Sequence, residues 1–470
     1  MRASGFQSGA QVVCGVFGIR SEERDVARIA YFGLFALQHR GQESAGIAVS
    51  DTGRLTVVRD MGLVAQVFNE QQLQALPGEV AIGHTRYSTT GANRWANAQP
   101  LIHHGRARTV ALGHNGNLVN VEELRAELLE DGVRLGSGSD SEVIAALIAR
   151  DPAPLPEAVA SAMSLLEGAY SVTALVDDTL VAFRDPFGFR PLALGRIGED
   201  WVVASETCAL DLIGAEVVRD VLPGEVFWVD AAGEHAAQAL PAGRNALCIF
   251  EHVYFARPDS RLGGVEVHGA RVRMGERLAQ EAPVEADLVI GIPDSGTPAA
   301  IGFSNASGIP FNEGLIKNRY VARTFIQPDQ GMREQGIRMK FNPLDEVEGR
   351  RIVAVDDSIV RGSTMRQLVA MLLDSGAAEV HVRISSPPVV SPCFYGIDMA
   401  DEDELAAAHR SVEEMRALIG ATSLHYLSVE GMQQATTLPE DAVCRACFTR
   451  QYPTRVPQKV EKLRFETARA

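Results

Sequence analysis

One stretch, Arg351-Ile-Val-Ala-Val-Asp-Asp-Ser-Ile-Val-Arg-Gly-Ser-Thr364, constrains what this chain can fold into more than any other. It opens with a continuous apolar run over 352–355, the pattern of a strand buried on both faces of a parallel sheet. Two adjacent carboxylates, Asp356 and Asp357, stand where that strand should end, and 358–364 is small and hydroxylic. A helical pattern follows over 365–373. Open parallel sheets bind ligands at the carboxyl ends of their strands. A Gly/Ser/Thr loop running into a helix presents backbone N–H groups and the positive end of the helix dipole, so its natural guest is phosphate. The two acids would repel phosphate, which leaves ribose hydroxyls or Mg²⁺ for them. Taken as residues alone, the stretch reaches a phosphorylated sugar with a divalent metal; the plainer alternative is that acids and hydroxyls merely cap a helix.

The apolar strand, the paired acids and Arg361-Gly-Ser-Thr364 together resemble the ribose-phosphate site of the type I phosphoribosyltransferases. That resemblance implies phosphoribosyl pyrophosphate (PRPP) as substrate, bound by Asp356, Asp357, Ser358, Val360, Arg361, Gly362, Ser363 and Thr364, with Mg²⁺ near Asp356 and Asp357. A second strand-and-turn, Asp287-Leu-Val-Ile-Gly-Ile-Pro-Asp-Ser-Gly296, holds backbone amides outward as a pyrophosphate loop would, or is an ordinary β–α connection. The family places pyrophosphate there. It thereby assigns Asp294, Ser295 and Gly296 to PRPP, and Ser295 also to the surroundings of the metal.

At 470 residues the chain is too long for one core, and two or three domains are expected. A formal charge of −16 with no basic tail argues against a nucleic-acid partner. Residues 1–13 carry no basic segment ahead of an apolar core, and no stretch approaches a membrane span, so a cytoplasmic protein is expected. Cysteines at 14, 208, 248, 393, 444 and 447 are too few for a disulfide scaffold in a chain of this length. An intracellular chain keeps such residues for metal binding or catalysis.

Cys14-Gly-Val-Phe-Gly-Ile-Arg20 reads as a strand that begins with a nucleophile, after a Gly-, Ser- and Gln-rich leader. Removal of that leader would give Cys14 a free α-amine, a base with an ordinary pKa of about 8 beside its own thiol. The plainer reading is a buried, inert thiol. Four further patches are Arg40-Gly-Gln-Glu-Ser-Ala-Gly46, His84-Thr-Arg-Tyr-Ser-Thr89, Gly113-His-Asn-Gly-Asn117 and Gly138-Ser-Asp-Ser-Glu142. Each alone reads as turn chemistry: the first leads into a strand at 47–50, the next two follow short strands at 80–83 and 109–112, and the last caps a helix that runs to residue 150.

Together with Cys14 these patches resemble the glutaminase domain of the N-terminal-nucleophile amidotransferases, over about the first 230 residues. The resemblance implies that Cys14 attacks the side-chain amide of glutamine, with Asn115 and the N–H of Gly116 as oxyanion hole. Arg86 would clamp the substrate carboxylate with its planar fork, and Asp140 would pair with the ammonium. It also implies a four-layer αββα sandwich, which accommodates strands at 170–176, 180–183, 192–194 and 201–205 and helices near 121–130, 139–150 and 156–167.

The Gly/Ala/Pro-rich stretch 231–246 marks a domain boundary, and an apolar run at 247–250 and a helical pattern over 267–282 begin the second half. The basic segment 317–342, with Arg319, Arg323, Arg333, Arg338 and Lys340, reads as a lid over PRPP or as a solvated charge run. With Glu251-His-Val-Tyr-Phe-Ala-Arg-Pro-Asp-Ser260 added, nearly the whole chain is similar to the amidophosphoribosyltransferases. The expected fold is therefore α/β and α+β in two domains, an αββα glutaminase sandwich followed by a type I phosphoribosyltransferase domain with a parallel sheet. The expected boundaries are a propeptide at 1–13, the amidotransferase domain at 14–240, the phosphoribosyltransferase domain with its C-terminal extension at 247–450, and a tail at 451–470.

Cys444-Arg-Ala-Cys447 suits chelation by two thiolates, or is a redox pair or two buried thiols. Spacing does not supply two further ligands; the resemblance does, as Cys248 and Cys393, and it favours one [4Fe–4S] cluster per subunit where four cysteines alone would also suit zinc. Cys208 is left over as a buried thiol. The family further implies a homotetramer, one Mg²⁺ per subunit, glutamine and PRPP as substrates, and purine nucleotides as feedback inhibitors. Two rivals are a glutaminase with another acceptor, which has no use for 351–364, and a nonenzymatic nucleotide sensor, which has no use for Cys14 and Arg86.

Overall fold

A computed structural model describes residues 13–87, 93–318, 339–399 and 402–456. The leader before Val13, Ser88 and Thr89, most of the basic segment with Arg319, Arg323, Arg333 and Arg338, and the end of the tail lie outside those residues.

The first half builds two antiparallel sheets. One has seven strands, in the order Glu216–Asp220, Ala193–Ile197, Asp200–Ala204, Gly15–Arg20, Val80–Arg86, Ser44–Asp51 and Arg54–Met61. The other has six, in the order Gly233–Gln238, Glu225–Asp230, Thr179–Arg184, Gly168–Val176, Thr109–Leu118 and Leu101–His104. Strand residues alternate between faces. Val16, Ile82 and Val203 of one sheet accordingly meet Ala111, Leu175 and Ala182 of the other in a shared core. Helix Val26–Ala36 covers the outer face of the first sheet. Helices Val121–Glu130, Asp140–Arg150 and Leu155–Leu165 cover the second. The layers are those of an αββα sandwich.

Two patches with turn composition turn out to be strand. Val80–Arg86 runs through His84 and Arg86, and Thr109–Leu118 runs through the Gly-His-Asn-Gly-Asn patch, paired with Gly168–Val176 along its whole length. A full ladder of backbone hydrogen bonds outweighs the local turn preference of Asn and Gly. The boundary stretch 231–246 likewise contains a strand, Gly233–Gln238, paired at the sheet edge with Glu225–Asp230.

The second half holds a four-stranded, all-parallel sheet in the order Leu288–Gly291, Arg351–Asp356, Glu379–Ile384 and Ser423–Tyr426. Val353 and Val355 pack with Met274, Leu278 and Phe303 of helices Val267–Glu281 and Thr297–Ser307 on one side. Ile352 and Ala354 pack with Leu368 and Met415 of helices Ser363–Asp374 and Val412–Ile419 on the other. The apolar run is continuous because both faces of this inner strand are covered, and each fully buried Ile or Val there contributes roughly 1.5–3 kcal/mol.

The two halves meet in a fully buried ionic network. Arg40 pairs with Glu206 and, at 2.8 Å, with Glu251, which also takes Arg190 at 3.1 Å, and none of the four side chains has any exposure. Removing one partner of such a set strands a charge and costs about 3–5 kcal/mol. Among the described residues, no helix is long and apolar enough to cross a membrane.

Candidate active sites

Cys14 precedes the strand Gly15–Arg20 and opens into a small pocket that Arg86, Tyr87, Gln99, His114, Gly116, Ser139, Asp140 and Ser141 also line. Its Sγ donates to the carbonyl of Tyr87 at 3.3 Å, and its own carbonyl accepts from Arg40 Nε at 2.9 Å. Burial pushes the thiol up to about 11 against the lowering effects of a backbone hydrogen bond with Tyr87 and of the Arg86 charge. At neutral pH the sulfur therefore keeps its proton until a base takes it.

Asn115 is fully buried beside this pocket, and both ends of its amide lack a hydrogen-bond partner among the described residues. An unpaired buried amide costs about 1–3 kcal/mol and survives where a ligand will use it. Gly116 follows with φ of 153°, and a Cβ there would stand 2.0 Å from the carbonyl oxygen of Ala169. Only glycine fits.

Arg86 sits at the end of its strand with Glu43 3.6 Å from its Nη1. Asp140 begins helix Asp140–Arg150, where Ser139 is the N-cap. Burial alone would raise its carboxyl, but the charge and hydrogen bond of His114 and the N–H groups of Leu118 and Ser141 outweigh that and hold it below the ordinary range. Asp140 is thus an anion in the pocket, separated from a cation at Arg86, which is the charge layout that receives an amino acid zwitterion. His114, Gln99 and Ser141 form the support. The Gln99 amide accepts from the His114 N–H at 2.8 Å and donates to Ser141 Oγ at 3.0 Å.

In the parallel sheet, Gly291 registers with Val355, so the Ile292–Gly296 turn and the Asp356–Gly362 turn lie side by side at one end. Ser295 hydrogen-bonds to Asp357, which also accepts from Ser358 Oγ at 2.6 Å. A Cβ on Gly296 would stand 2.4 Å from the carbonyl oxygen of Val355, so the two turns can approach only with glycine there. Gly362 has φ of 76° and caps helix Ser363–Asp374. Burial, then mutual charge, pushes the Asp356 carboxyl up, and burial pushes Asp357 up against the hydrogen bonds of Ser295 and Ser358 and the charge of Arg271. Arg271, itself buried and tied to the carbonyls of His252 and Ala256 at 2.8 Å, is a counter-charge that no sequence motif flagged. Asp294 pairs with Lys317, and Arg361 with Glu404. The carbonyl of Val360 accepts from Ala406 N at 2.8 Å. Beside the first turn lies a cleft lined by Pro293, Asp294, Lys317, Asn318 and Phe341; residues 356–364 do not line it. The basic segment begins and ends on one ribbon there, Leu315–Lys317 paired with Phe341–Pro343.

Comparison with known proteins fits this pairing of sites. A model described as a glutamine amidotransferase domain matches residues 84–212. A curated amidophosphoribosyltransferase of Synechococcus elongatus is 53% identical over 467 residues, covering 97% of this chain and 95% of its own. The chain belongs to the amidophosphoribosyltransferase family. Its relative in Archaeoglobus fulgidus is 48% identical and covers 95% of this chain and 99% of its own. Among solved structures, the glutamine PRPP amidotransferase of B. subtilis complexed with ADP and GMP superposes with a TM-score of 0.89 at 47% identity, over 95% of this chain and 98% of its own.

Against this family background the cysteines fall into three groups: Cys14 in the small pocket, Cys208, and four thiols at the domain joint. Cys208 is buried with Sγ 3.7 Å from Glu206, which raises rather than lowers its proton affinity beyond the effect of burial. Cys248 and Cys444 face each other across the short parallel pair Leu247–Cys248 and Val443–Cys444. Cys447 feels the charges of Cys248, Cys393 and Cys444, and Cys444 those of Cys248 and Cys393, so the four converge. Arg190 faces Cys248 and Cys393. Among the described residues, no three Cys, His, Asp or Glu side chains are disposed to hold a single metal ion. Val13 is fully buried in the same core as Cys248, Ile249 and Phe250.

Proposed function

We propose that these residues carry the transfer of the amide nitrogen of glutamine to PRPP, giving 5-phosphoribosylamine, glutamate and pyrophosphate, the first committed step of de novo purine nucleotide synthesis. The observation that carries this reading is the pairing of a nucleophile pocket with an acid-pair turn in one chain. Cys14 attacks the amide and releases ammonia, leaving a glutamyl thioester that water hydrolyses. A thiol at about 11 is only ~10⁻⁴ ionised at pH 7, so attack needs a local base. The α-amine freed by cleavage after residue 13 is that base. Arg86 holds the carboxylate and Asp140 the ammonium of the substrate, and the unpaired amide of Asn115 with the N–H of Gly116 takes the developing oxyanion. The ammonia passes internally to C1 of PRPP, because in bulk water it would be protonated and no longer nucleophilic.

Asn115→Ala tests the hole. Losing one such donor lowers kcat for glutamine hydrolysis by about 10²–10³-fold. The KM for glutamine and the rate with ammonium salts should stay put, and a kcat within threefold of wild type would discard Asn115 from the mechanism.

The turns at Asp294–Gly296 and Asp356–Thr364 bind PRPP, and Asp356, Asp357 and Ser295 surround one Mg²⁺. A pair of acids whose mutual charge raises their proton affinity is a pair that a divalent cation relieves. When bound, the ion neutralises the pyrophosphate leaving group. The B. subtilis relative's complex with ADP and GMP supports purine nucleotides as feedback inhibitors, and the family resemblance alone suggests a homotetramer and a cytoplasmic setting.

Cys248, Cys393, Cys444 and Cys447 hold one [4Fe–4S] cluster. Their all-sulfur, converging arrangement, with Cys248, Cys444 and Cys447 buried and Cys393 partly so, fits it, and Arg190 offsets negative charge there. The reaction has no redox step, so the cluster is a staple joining the domains and the C-terminal extension. Protein purified without oxygen should be brown with about four irons per chain, and each of the four Cys→Ser changes should lose iron. Burial pushes the Cys248 thiol up to about 11, so loading must displace protons, and iron uptake by metal-free protein should rise from pH 6.5 to 9. Colourless, active protein with one zinc would contradict the cluster.

A further inference from the structure

The segment Phe394-Tyr-Gly-Ile-Asp398 lies between strand Glu379–Ile384 and helix Val412–Ile419 of the second half, yet it packs on residues at the Cys14 pocket of the first half. The carbonyl of Phe394 accepts from Asn117 Nδ2 at 3.0 Å. The carbonyl of Tyr395 accepts from Nε and Nη2 of the fully buried Arg190, at 2.9 and 2.8 Å. The Tyr395 ring stacks on Phe189 with centroids 4.1 Å apart. Asp398 Oδ2 accepts from the Tyr87 hydroxyl at 3.4 Å. Between these anchors Gly396, with φ of 97°, lies on the backbone of Gly116. A Cβ built on Gly396 would stand 2.8 Å from the carbonyl carbon of Gly116, 2.9 Å from its oxygen and 3.0 Å from its Cα. Gly116 already abuts Ala169 on its own sheet. Two backbone surfaces therefore fix it, and one of them comes from the other domain.

We propose that Gly396 is a positioning residue for glutamine hydrolysis: its bare Cα, pinned by Arg190 and Asn117, sets where the N–H of Gly116 meets the oxyanion. This rests on the oxyanion role given to Gly116 above. A displacement of about 1 Å at such a donor costs on the order of 10²-fold in rate, while ground-state binding through Arg86 and Asp140 is untouched.

The test uses processed, iron-loaded, full-length protein carrying Gly396→Ala. The added methyl must push the loop and Gly116 apart. The expected result is a kcat for glutamine hydrolysis about 10²-fold lower, with the KM for glutamine within about twofold of wild type. Ammonia-dependent synthesis and alkylation of Cys14 by iodoacetamide, which displaces iodide without forming an oxyanion, stay within about twofold. Gly420→Ala is the control for backbone strain, since Gly420 has φ of 73° but nothing within 4 Å of a Cβ. It should leave hydrolysis unchanged. A kcat within threefold of wild type in Gly396→Ala, or a joint fall of kcat, glutamine affinity, alkylation and ammonia-dependent synthesis, overturns the proposal. Where Gly396→Ala is insoluble, Asn117→Ala decides: loss of the Phe394 tether should lower kcat about tenfold at constant KM, and an unchanged kcat overturns the proposal. Asn115→Ala reads the side-chain donor of the hole by itself, so a normal Asn115→Ala discards Asn115 alone, whereas a normal Gly396→Ala discards the role of Gly396 in placing the Gly116 N–H.

Discussion

Cys14→Ser is expected to abolish glutamine-dependent phosphoribosylamine formation, by at least about 10⁴-fold, while synthesis from ammonium salts at high pH persists. The substitution nearly preserves size in a pocket where the sulfur is buried, so packing changes little. It replaces a thiol at about 11 with a hydroxyl several units less acidic, which the same weak base cannot activate. The acid-pair turn lies on a different sheet in the other half of the chain and does not depend on Cys14 for its geometry. Protein that retains residues 1–13 should behave in the same way, because the α-amine is then an amide and cannot accept a proton. Equal loss of both activities in Cys14→Ser would show that the residue is structural.

Asp356→Asn and Asp357→Asn are each expected to lower the ammonia-dependent rate by at least about 10²-fold, the equivalent of roughly 3 kcal/mol of leaving-group stabilisation. Basal glutamine hydrolysis, measured without PRPP, should remain. Stability separates lost chemistry from lost folding. A carboxyl whose proton affinity is raised on folding makes the folded state bind more protons, so its ionisation weakens the fold as pH rises above the ordinary carboxylate range. At pH 7 both variants relieve that repulsion and should melt no lower than wild type, with the gain shrinking toward pH 4. Wild-type PRPP turnover in both variants would remove the ribose-phosphate assignment; a lower melting temperature at pH 7 would mark the acids as structural.

Local patterns told the sheet strands and their order of appearance, because period-two alternation and unbroken apolar runs report directly on which faces are buried. The 352–355 run is the clearest case, with alternate residues facing different helix layers. Turn composition misled at His84 and Asn115, where strand pairing set the backbone and glycine served close approach instead of a turn. The structure brings Cys14, Arg86, Gly116 and Asp140 into one pocket, four positions that sequence singled out through resemblance. The supports were not legible. Gln99 and Ser141 hold His114 from segments 15 and 27 residues away, and Arg271 reaches Asp357 from a helix with no motif. The Arg40–Glu206–Glu251–Arg190 network and the contact of Gly396 with Gly116 join residues that only the docking of two domains makes neighbours. Single-residue chemistry marks reactive groups; it carries no sign of what holds them.

One chain turns the amide of glutamine into the nitrogen at C1 of PRPP. The most direct measurement follows glutamate and pyrophosphate together, using processed protein, [amide-¹⁵N]glutamine, PRPP and Mg²⁺ in ammonium-free buffer near pH 7. The expected result is pyrophosphate release that depends on glutamine, one pyrophosphate per glutamate, and ¹⁵N in the phosphoribosylamine formed. Glutamate produced with no pyrophosphate, or pyrophosphate released at the same rate without glutamine, would contradict it.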